Sequence, residues 1–277
     1  MSELRRTEWV LLVWWTLVPT QLAVSQDNPG VHDTVAVEIP PLRTVENKAF
    51  TVGEYLLFNV KYGFLKAGEA VMEIPELEEI SNRECYRIQF GVNSVGLFSL
   101  FYRVEDRYET CLDVKGIFPW RYEQHIREGG YRRDVAAEFD QINHVAKTGQ
   151  REYPIPPYVH DVVSALYYVR TLNFKNARPG ERLHLQQFYK DTTYALDVKF
   201  RGRQTIKVGA GKFRCIIVEP LVQEGGLFKH SGRIIIWMTD DDQKIPIKLS
   251  TKVPIGSINA DLRDYRGVNE PIQARVK

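Results

Sequence analysis

Strict alternation of apolar and polar side chains along short segments is the feature that most restricts how this chain can fold. In the clearest case, Ile245, Ile247 and Leu249 alternate with polar residues. Successive side chains of a strand point to opposite faces, so this segment predicts a strand with one buried face and one solvated face. The polar segment 239–243 separates it from the apolar run 234–238. The two runs therefore predict an antiparallel hairpin.

The same alternation recurs along most of the chain, and few windows have helical spacing. Hairpin turns are indicated at 63–68 and 129–130. We therefore predict a mainly β fold, an antiparallel sheet that is strongly curved or barrel-like, forming a single β domain over 50–265. One helix is predicted over 159–172, because apolar residues recur there at helical spacing after a run of prolines. It is long enough to brace the sheet.

Two β segments on either side of the predicted helix resemble each other at an offset of 127 residues. Placing 53–119 on 180–246 without gaps gives 11 identities in 67 positions, including Gly53 with Gly180 and Asp113 with Asp240. Ordinary composition gives roughly four. We therefore predict a pseudo-duplicated sheet with halves at about 50–150 and 176–265. Unrelated strand orders in the two halves would contradict this prediction.

The N-terminal residues differ in composition from the rest of the chain. Residues 1–25 contain two arginines, an apolar core and a small-residue site, which predicts a secretory signal cleaved near Ser25. The alternative is an uncleaved anchor, although the apolar core is short for a membrane span. Residues 26–49 are predicted to form an extended leader and 266–277 a polar tail. The mature chain is then periplasmic or secreted, without a transmembrane span.

Charge and cysteine content exclude several classes of function. There are 37 basic and 35 acidic side chains, so no overall field attracts nucleic acid, and none is expected as a partner. Cys85, Cys111 and Cys215 allow at most one intrachain disulfide and match no metal motif. We interpret all three as buried small apolar residues. No metal and no cofactor are expected.

Three motifs contain residue types that occur at sites of chemistry. The run Asp240-Asp241-Asp242 has ligands suited to a hard cation, but a solvated hairpin turn is favoured because adjacent side chains diverge. The pair His160-Asp161 has acid–base groups, but Asp161 is better placed to cap the helix. Ser164 lacks the glycine-flanked turn of a hydrolase nucleophile. An unrecognised hydrolase-type activity remains a third, less favoured possibility.

A set of aromatic and aliphatic side chains provides the candidates for ligand binding. A curved sheet of this size can enclose an apolar cavity, while the alternative is that the same residues fill the core. The candidates are Tyr62, Tyr194, Phe200, Trp237, Ile245, Ile247 and Leu249.

A larger group of residues, spread over about 50–265, carries a resemblance to a known family. They are Gly53-Glu54, Tyr62-Gly63, Ala67-Gly68, Asp161, Ser164 to Tyr168, Arg170, Gly211 to Phe213, Trp237, Asp240-Asp241, Ile245-Pro246 and Ile255 to Ser257. With them the chain resembles the exported bacterial family called domain of unknown function 3108. The resemblance implies a Gram-negative envelope context and a β-rich fold, with no established activity. The hairpins are also similar in style to periplasmic half-barrel carriers of lipoproteins and lipids.

Two functions of different classes follow from these patterns. The first is a non-enzymatic binding or carrier protein for an apolar or amphiphilic envelope ligand, with a lipid as the expected partner. The second is a structural or scaffold protein that binds an envelope protein or glycan through a sheet edge or aromatic patch. A cavity enclosed by the sheet favours the first function, and a large surface patch without a cavity favours the second.

Overall fold

A computed structural model describes residues 41–222, 233–252 and 256–277 of the chain. The predicted signal peptide 1–25 and residues 26–40 of the predicted leader lie outside the described residues. The described strands are β1 (Tyr55–Tyr62), β2 (Leu65–Ile80), β3 (Arg83–Ser94), β4 (Glu105–Asp113), β5 (Pro119–Glu128), β6 (Tyr131–Asp140), β7 (Val145–Thr148), β8 (Arg151–Pro154), β9 (Arg182–Tyr189), β10 (Thr192–Val208), β11 (Gly211–Val222), β12 (Ile234–Thr239), β13 (Pro246–Lys252), β14 (Ser257–Arg266) and β15 (Arg275–Val276). The described helices are α1 (Gly96–Phe101) and α2 (Val162–Thr171).

All of these strands belong to one antiparallel sheet. Its order is β8-β7-β6-β5-β4-β3-β2-β1-β14-β13-β12-β11-β10-β9, and β15 pairs with β11. The sheet is not closed among the described strands, since β8 and β9 lie at its two ends. The prediction of a mainly β, antiparallel, curved or barrel-like fold is confirmed. The predicted hairpin 234–249 is β12 paired with β13, with Ile236 opposite Leu249.

Twelve of the 15 strands form two six-stranded meanders, β1 to β6 and β9 to β14, related by the offset found in the sequence. Adding 127 to the first residue of each of β1 to β6 gives the first residue of β9 to β14 within two positions. Left-handed backbone conformations also correspond: Ile117 and Lys244 have φ of 49° and 44°. Each meander pairs its strands in chain order, and β1 pairs with β14 to join them. The matching strand orders agree with the predicted duplication.

Helix α2 lies between the two meanders in sequence and packs against both in space. It is shorter than the predicted 159–172, because Asp161 caps its first turn and Leu172 is already extended. On one side Val163 and Tyr167 belong to an apolar cluster that contains residues of β1 to β5. On the other side Ala165 and Val169 belong to a second cluster with β10 to β12. The helix therefore braces the sheet, as its apolar periodicity indicated.

Both ends of the described chain are packed onto the sheet. In the leader, Arg43 donates to the carbonyl oxygens of Gly116 at 2.8 Å and Ile117 at 2.7 Å. In the segment predicted as a polar tail, Ile272 and Ala274 are buried in the larger apolar cluster. Neither position follows from the polar composition of these segments.

The three cysteines are buried and unpaired. Burial raises the pKa of Cys85 and of Cys215 to about 12 and raises that of Cys111 as well. Only the thiolate reacts readily with alkylating agents. We therefore expect iodoacetamide to leave all three unmodified in the folded protein and to modify three thiols in urea, as counted by intact mass. Rapid alkylation of the folded protein would contradict this placement.

Candidate functional site: an apolar cavity between helix α2 and the sheet

A cavity of about 230 Å³ lies where helix α2 faces both meanders. Its walls are almost entirely apolar. The lining residues are Met72, Phe90, Tyr108, Val162, Val163, Ala165, Leu166, Val169, Gln187, Leu196, Val198, Val218, Pro220, Ile234, Ile236 and Leu249. Residues of both apolar clusters line it. The cavity is therefore a space between the two clusters that their side chains do not fill.

Strand register explains why these side chains share one surface. Met72 is opposite Phe90, and Phe90 is opposite Tyr108, so the three form a row across β2, β3 and β4. Directly opposed residues in an antiparallel sheet point to the same face. In the other meander, Ile236 lies between Val218 and Leu249 across β11, β12 and β13. Two apolar rows from different halves thus face each other across the helix.

The first turn of α2 is fixed by a buried carboxylate. Asp161 accepts hydrogen bonds from the backbone nitrogens of Val163 at 2.7 Å and Ser164 at 2.9 Å, while its other oxygen accepts from the Thr110 hydroxyl at 2.8 Å. The Ser164 hydroxyl in turn accepts from the Asp161 nitrogen at 2.9 Å, which completes a capping box. The predicted helix-capping role of Asp161 is therefore confirmed. Thr110 ties this cap to β4 beside the cavity.

The neighbouring His160 is fully buried and neutral. Burial, together with the charge of Arg43, lowers its pKa to about 3. Its Nδ1 lies 3.3 Å from the Ser164 hydroxyl, and its ring packs against Tyr168 at 4.9 Å. In the described ranges, no three His, Cys, Asp or Glu side chains come together as a metal site.

One polar side chain enters the apolar lining. Gln187 on β9 is only 1% exposed, and its Oε1 accepts no hydrogen bond from any described residue. A buried amide oxygen without a donor is unfavourable. Gln187 is thus a lining residue whose amide oxygen lacks a donor among the described residues. Burial also raises the pKa of Tyr108, so its hydroxyl remains protonated.

A buried ion pair anchors the C-terminal half of α2. Arg170 donates from Nη1 to Oε1 of Glu54 at 2.7 Å and from Nη2 to Oε2 at 2.6 Å. It also donates to the carbonyl oxygens of Ala49 and Gln243. Burial acts to lower the pKa of Arg170, but Glu54 outweighs it and the pKa is raised. The guanidinium thus connects the helix to the start of β1 and to the β12–β13 turn.

The seven side chains predicted to line a cavity lie in different parts of the structure. Leu249 lines the cavity. Ile245 and Ile247 are fully buried in the larger apolar cluster, and Phe200 is buried in the smaller one. None of these three is among the lining residues.

The three remaining candidates lie closer to the surface. Trp237 donates its indole nitrogen to Gln204 at 3.0 Å, on the opposite face of β12 from Ile236. Tyr194 is half-buried and directly opposite Gln187 on β10. Tyr62 is 38% exposed at the end of β1. Of the seven predicted side chains, the structure therefore places only Leu249 among the lining residues of this cavity.

Sequence reasoning missed the contributions of the first meander and of the helix. The row of Met72, Phe90 and Tyr108 comes from three strands whose alternation was visible in the sequence. Val162, Leu166 and Val169 were part of the pattern that predicted the helix. The periodicity of the apolar residues thus indicates which side chains are buried. Which apolar rows face each other depends on the curvature of the sheet.

The triple aspartate forms a turn held by its middle member. Asp241 Oδ1 accepts from the Thr239 hydroxyl at 2.7 Å and from the backbone nitrogens of Gln243 and Lys244. Its Oδ2 accepts from the Ala274 nitrogen at 3.1 Å. The prediction of a hairpin turn at this position is confirmed.

The open sheet, its two meanders and its bracing helix define a β-barrel-like protein. A similar solved structure is the β-barrel-like protein of domain of unknown function DUF1849 from Brucella abortus, with a TM-score of 0.51 and 9% identity, covering 83% of this chain and 100% of that chain. At this identity the likeness shows the fold alone. The chain itself belongs to the family described as "Protein of unknown function (DUF3108)", whose model matches residues 57–263.

More distant structures were also found. A candidate lipoprotein from Parabacteroides distasonis has a TM-score of 0.35 and 9% identity, covering 81% of this chain and 99% of that chain. A candidate exported protein with a YmcC-like fold from Bacteroides fragilis has a TM-score of 0.29 and 13% identity, covering 80% and 99%. Neither is similar enough to support an argument. No curated protein matches the sequence.

Proposed function

We propose that this chain is an exported, non-enzymatic binding or carrier protein for an apolar or amphiphilic envelope ligand. The observation that carries the proposal is the apolar cavity of about 230 Å³ between α2 and the sheet. Small-molecule sites are typically concave and apolar, with a few polar groups that orient the ligand. Gln187 fits that role, because its buried Oε1 has no hydrogen-bond donor among the described residues. The ligand expected here has an apolar body and one hydrogen-bond donor.

Filling the cavity is expected to abolish binding. Ala165 is buried on α2 and lines the cavity, so Ala165→Phe places a ring inside it. We expect the affinity for the apolar dye N-phenylnaphthylamine, measured by fluorescence titration, to fall by about tenfold or more. Ala136→Phe is the matched control, since Ala136 is exposed on β6 and its side chain points away from the cavity. Unchanged binding by Ala165→Phe would place the ligand elsewhere.

A second variant tests the polar end of the cavity. Gln187→Leu removes the buried acceptor and keeps the apolar volume. Native mass spectrometry of protein from its own envelope identifies any bound molecule, and the variant is expected to retain less of it if that molecule carries a donor. A clean apo mass for the unaltered protein, together with no dye binding, would contradict the proposed function.

A further inference from the structure

Exposed apolar side chains are concentrated at one edge of the sheet. In the described ranges, 13 large hydrophobic residues are exposed, and 10 of them lie there. These ten are Tyr62, Phe64, Leu65, Leu97, Phe98, Leu100, Phe101, Tyr102, Tyr131 and Ile258. The other three, Val52, Leu77 and Ile142, lie toward the opposite edge. The first edge consists of the β1–β2 turn, the segment 95–104, the β5–β6 turn and the start of β14. We call it the apolar edge.

Topology places these four segments side by side. Alternate turns of an antiparallel meander fall on the same edge, and β14 pairs with β1. Backbone hydrogen bonds connect neighbouring segments: Val95 donates to Ala67 at 3.0 Å, Gly129 to Arg103 at 2.7 Å and Gly63 to Ser257 at 3.1 Å. The apolar edge is therefore continuous.

Exposure within the apolar edge is extreme for side chains of this type. Phe64 is 91% exposed, Phe101 89%, Leu100 78% and Leu97 77%. Helix α1 has no buried residue at all, although four of its six residues are leucine or phenylalanine. Contiguous exposed apolar surface on a folded protein indicates a contact with another molecule or with a membrane.

The opposite edge shows that this exposure is not general to the fold. There the β4–β5 turn buries Ile117 and Phe118 completely. Arg43 of the leader covers that turn, and the C-terminal segment contributes buried Ile272 and Ala274. One edge of the sheet is thus closed by the chain itself, whereas the other presents leucine and phenylalanine side chains to solvent.

Charges beside the apolar edge complement an anionic surface. The described turns on this edge, together with the two nearest residues of each strand that meets them, carry eight basic side chains against four acidic ones. The basic ones are Lys61, Lys66, Arg103, Arg127, Arg132, Lys190, Arg233 and Lys252, and the acidic ones are Glu105, Asp106, Glu128 and Asp191. Arg103 pairs with Glu105 at 2.5 Å, and Lys66 pairs with Glu69, which Arg263 also contacts. Exposed apolar groups flanked by tyrosines and cationic side chains are typical of the lipid headgroup region.

The cavity extends toward the same edge. Two of its lining residues, Pro220 near the end of β11 and Ile234 at the start of β12, lie within two residues of strand ends there. In the sheet, β13 lies between β12 and β14, and β14 carries Ile258 of the apolar edge.

We propose that the apolar edge docks on the surface of an anionic phospholipid bilayer. Phe64, Leu100 and Phe101 enter the boundary between headgroups and acyl chains, while Arg103 and Arg132 remain at the level of the phosphates. Among the described residues, no helix is long and apolar enough to span a membrane. The proposal goes beyond ligand carriage, because docking does not require an occupied cavity.

Vesicle flotation tests the docking directly. The full chain is mixed with vesicles of phosphatidylethanolamine and phosphatidylglycerol, and the double variant Phe64→Glu with Phe101→Glu is compared with it. We expect the variant to lose about tenfold or more of its vesicle affinity. The matched control is Leu77→Glu with Ile142→Glu, which alters two exposed apolar residues outside the apolar edge. It is expected to bind as the unaltered chain does, and circular dichroism confirms folding of both variants.

Charge and self-association provide further arms. Arg103→Ser with Arg132→Ser is expected to weaken binding to vesicles containing phosphatidylglycerol more than binding to zwitterionic vesicles. Absence of vesicle binding by the unaltered chain, or equal loss in the Leu77 and Ile142 control, would overturn the proposal. So would a shift from dimer to monomer in the Phe64 and Phe101 variant without any vesicle binding, since the edge would then join two copies.

The docking and carrier proposals fail separately. Ala165→Phe is expected to lose dye binding and keep vesicle binding, because Ala165 is buried in the cavity wall and is not part of the apolar edge. The Phe64 and Phe101 variant is expected to bind the dye in solution and lose the vesicles. Loss of both properties in both variants, with folding intact, would contradict the separation of cavity and docking surface.

Discussion

Replacing Glu54 with alanine is expected to lower the free energy of unfolding by about 3–5 kcal/mol, the range for breaking a buried ion pair by removing one partner. Arg170 is fully buried, and the Glu54 carboxylate accepts hydrogen bonds from both of its terminal nitrogens. Without the carboxylate, the guanidinium keeps the carbonyls of Ala49 and Gln243 and the rings of Phe50 and Tyr167, but it loses its counter-ion. Urea denaturation followed by circular dichroism measures the loss.

The internal duplication supplies a matched control for this variant. Glu181 occupies the corresponding position in the second meander, but it is exposed. Glu181→Ala is therefore expected to change the free energy of unfolding by less than about 0.5 kcal/mol. Combining Glu54→Ala with Arg170→Met removes the stranded charge and is expected to recover part of the stability. Equal losses for Glu54→Ala and Glu181→Ala would show that the buried pair contributes nothing.

The second large effect is expected for Asp113→Ala, with a loss of roughly 3 kcal/mol because a buried carboxylate that accepts several hydrogen bonds is removed. Asp113 is fully buried and accepts from Nε and Nη2 of Arg83 at 2.5 and 2.8 Å. It also accepts from the Trp120 indole at 3.0 Å and from the backbone nitrogens of Lys115 and Gly116. The carboxylate thus holds the whole β4–β5 turn.

The sign of the pH dependence follows from the pKa of Asp113. Burial acts to raise this pKa, but the hydrogen bonds from Arg83 and Trp120 outweigh it and hold it below the ordinary value of 3.8. The stabilisation is full above pH 3.8 and is lost as the pH falls through the lower folded-state value. The difference in the free energy of unfolding between Asp113→Ala and the unaltered chain should therefore become smaller in strong acid.

Asp240→Ala is the corresponding change in the second meander. Asp240 is half-buried and pairs with Arg203 at 3.0 Å near the surface. Surface ion pairs contribute at most about 1 kcal/mol, so only a small loss is expected. If Asp240→Ala lowered the free energy of unfolding as much as Asp113→Ala does, Asp240 would stabilise its turn as strongly as the buried Asp113 does.

Much of the fold was readable from the sequence because its determinants are local. Alternation located the strands, and spacing with preceding prolines located α2 to within a few residues at each end. The offset of 127 residues was readable because Gly53, Gly180, Asp113 and Asp240 occupy equivalent turns. Turns require particular residue types, so their spacing persists after most strand residues have diverged.

The cavity was harder to predict because it depends on contacts between distant segments. Ile236 and Trp237 are adjacent apolar residues of β12, yet only Ile236 lines the cavity. A register shift in the pairing with β13 follows directly, between Trp237 and Met238. Ile247 and Leu249 share the face expected from alternation, but only Leu249 reaches the unfilled space. Alternation specifies which side chains are buried, while packing between the meanders specifies which of them leave a gap.

The pairing of β1 with β14 has a counterpart that the chain does not form. Two identical meanders related by a dyad would also pair β6 with β9 and close a ring of strands. Here β6 and β9 meet through side chains: Arg133 donates to the Tyr189 hydroxyl at 3.3 Å, and Phe139 packs edge-on against Phe188 at 5.8 Å. The inserted β7, β8 and α2 follow β6 in the chain, and just before α2 the His160 nitrogen donates to the Gln186 oxygen at 2.9 Å while the His160 oxygen accepts from the Phe188 nitrogen at 2.8 Å. The seam between β6 and β9 therefore has these two backbone hydrogen bonds in place of a ladder, and it lies beside Gln187 of the cavity.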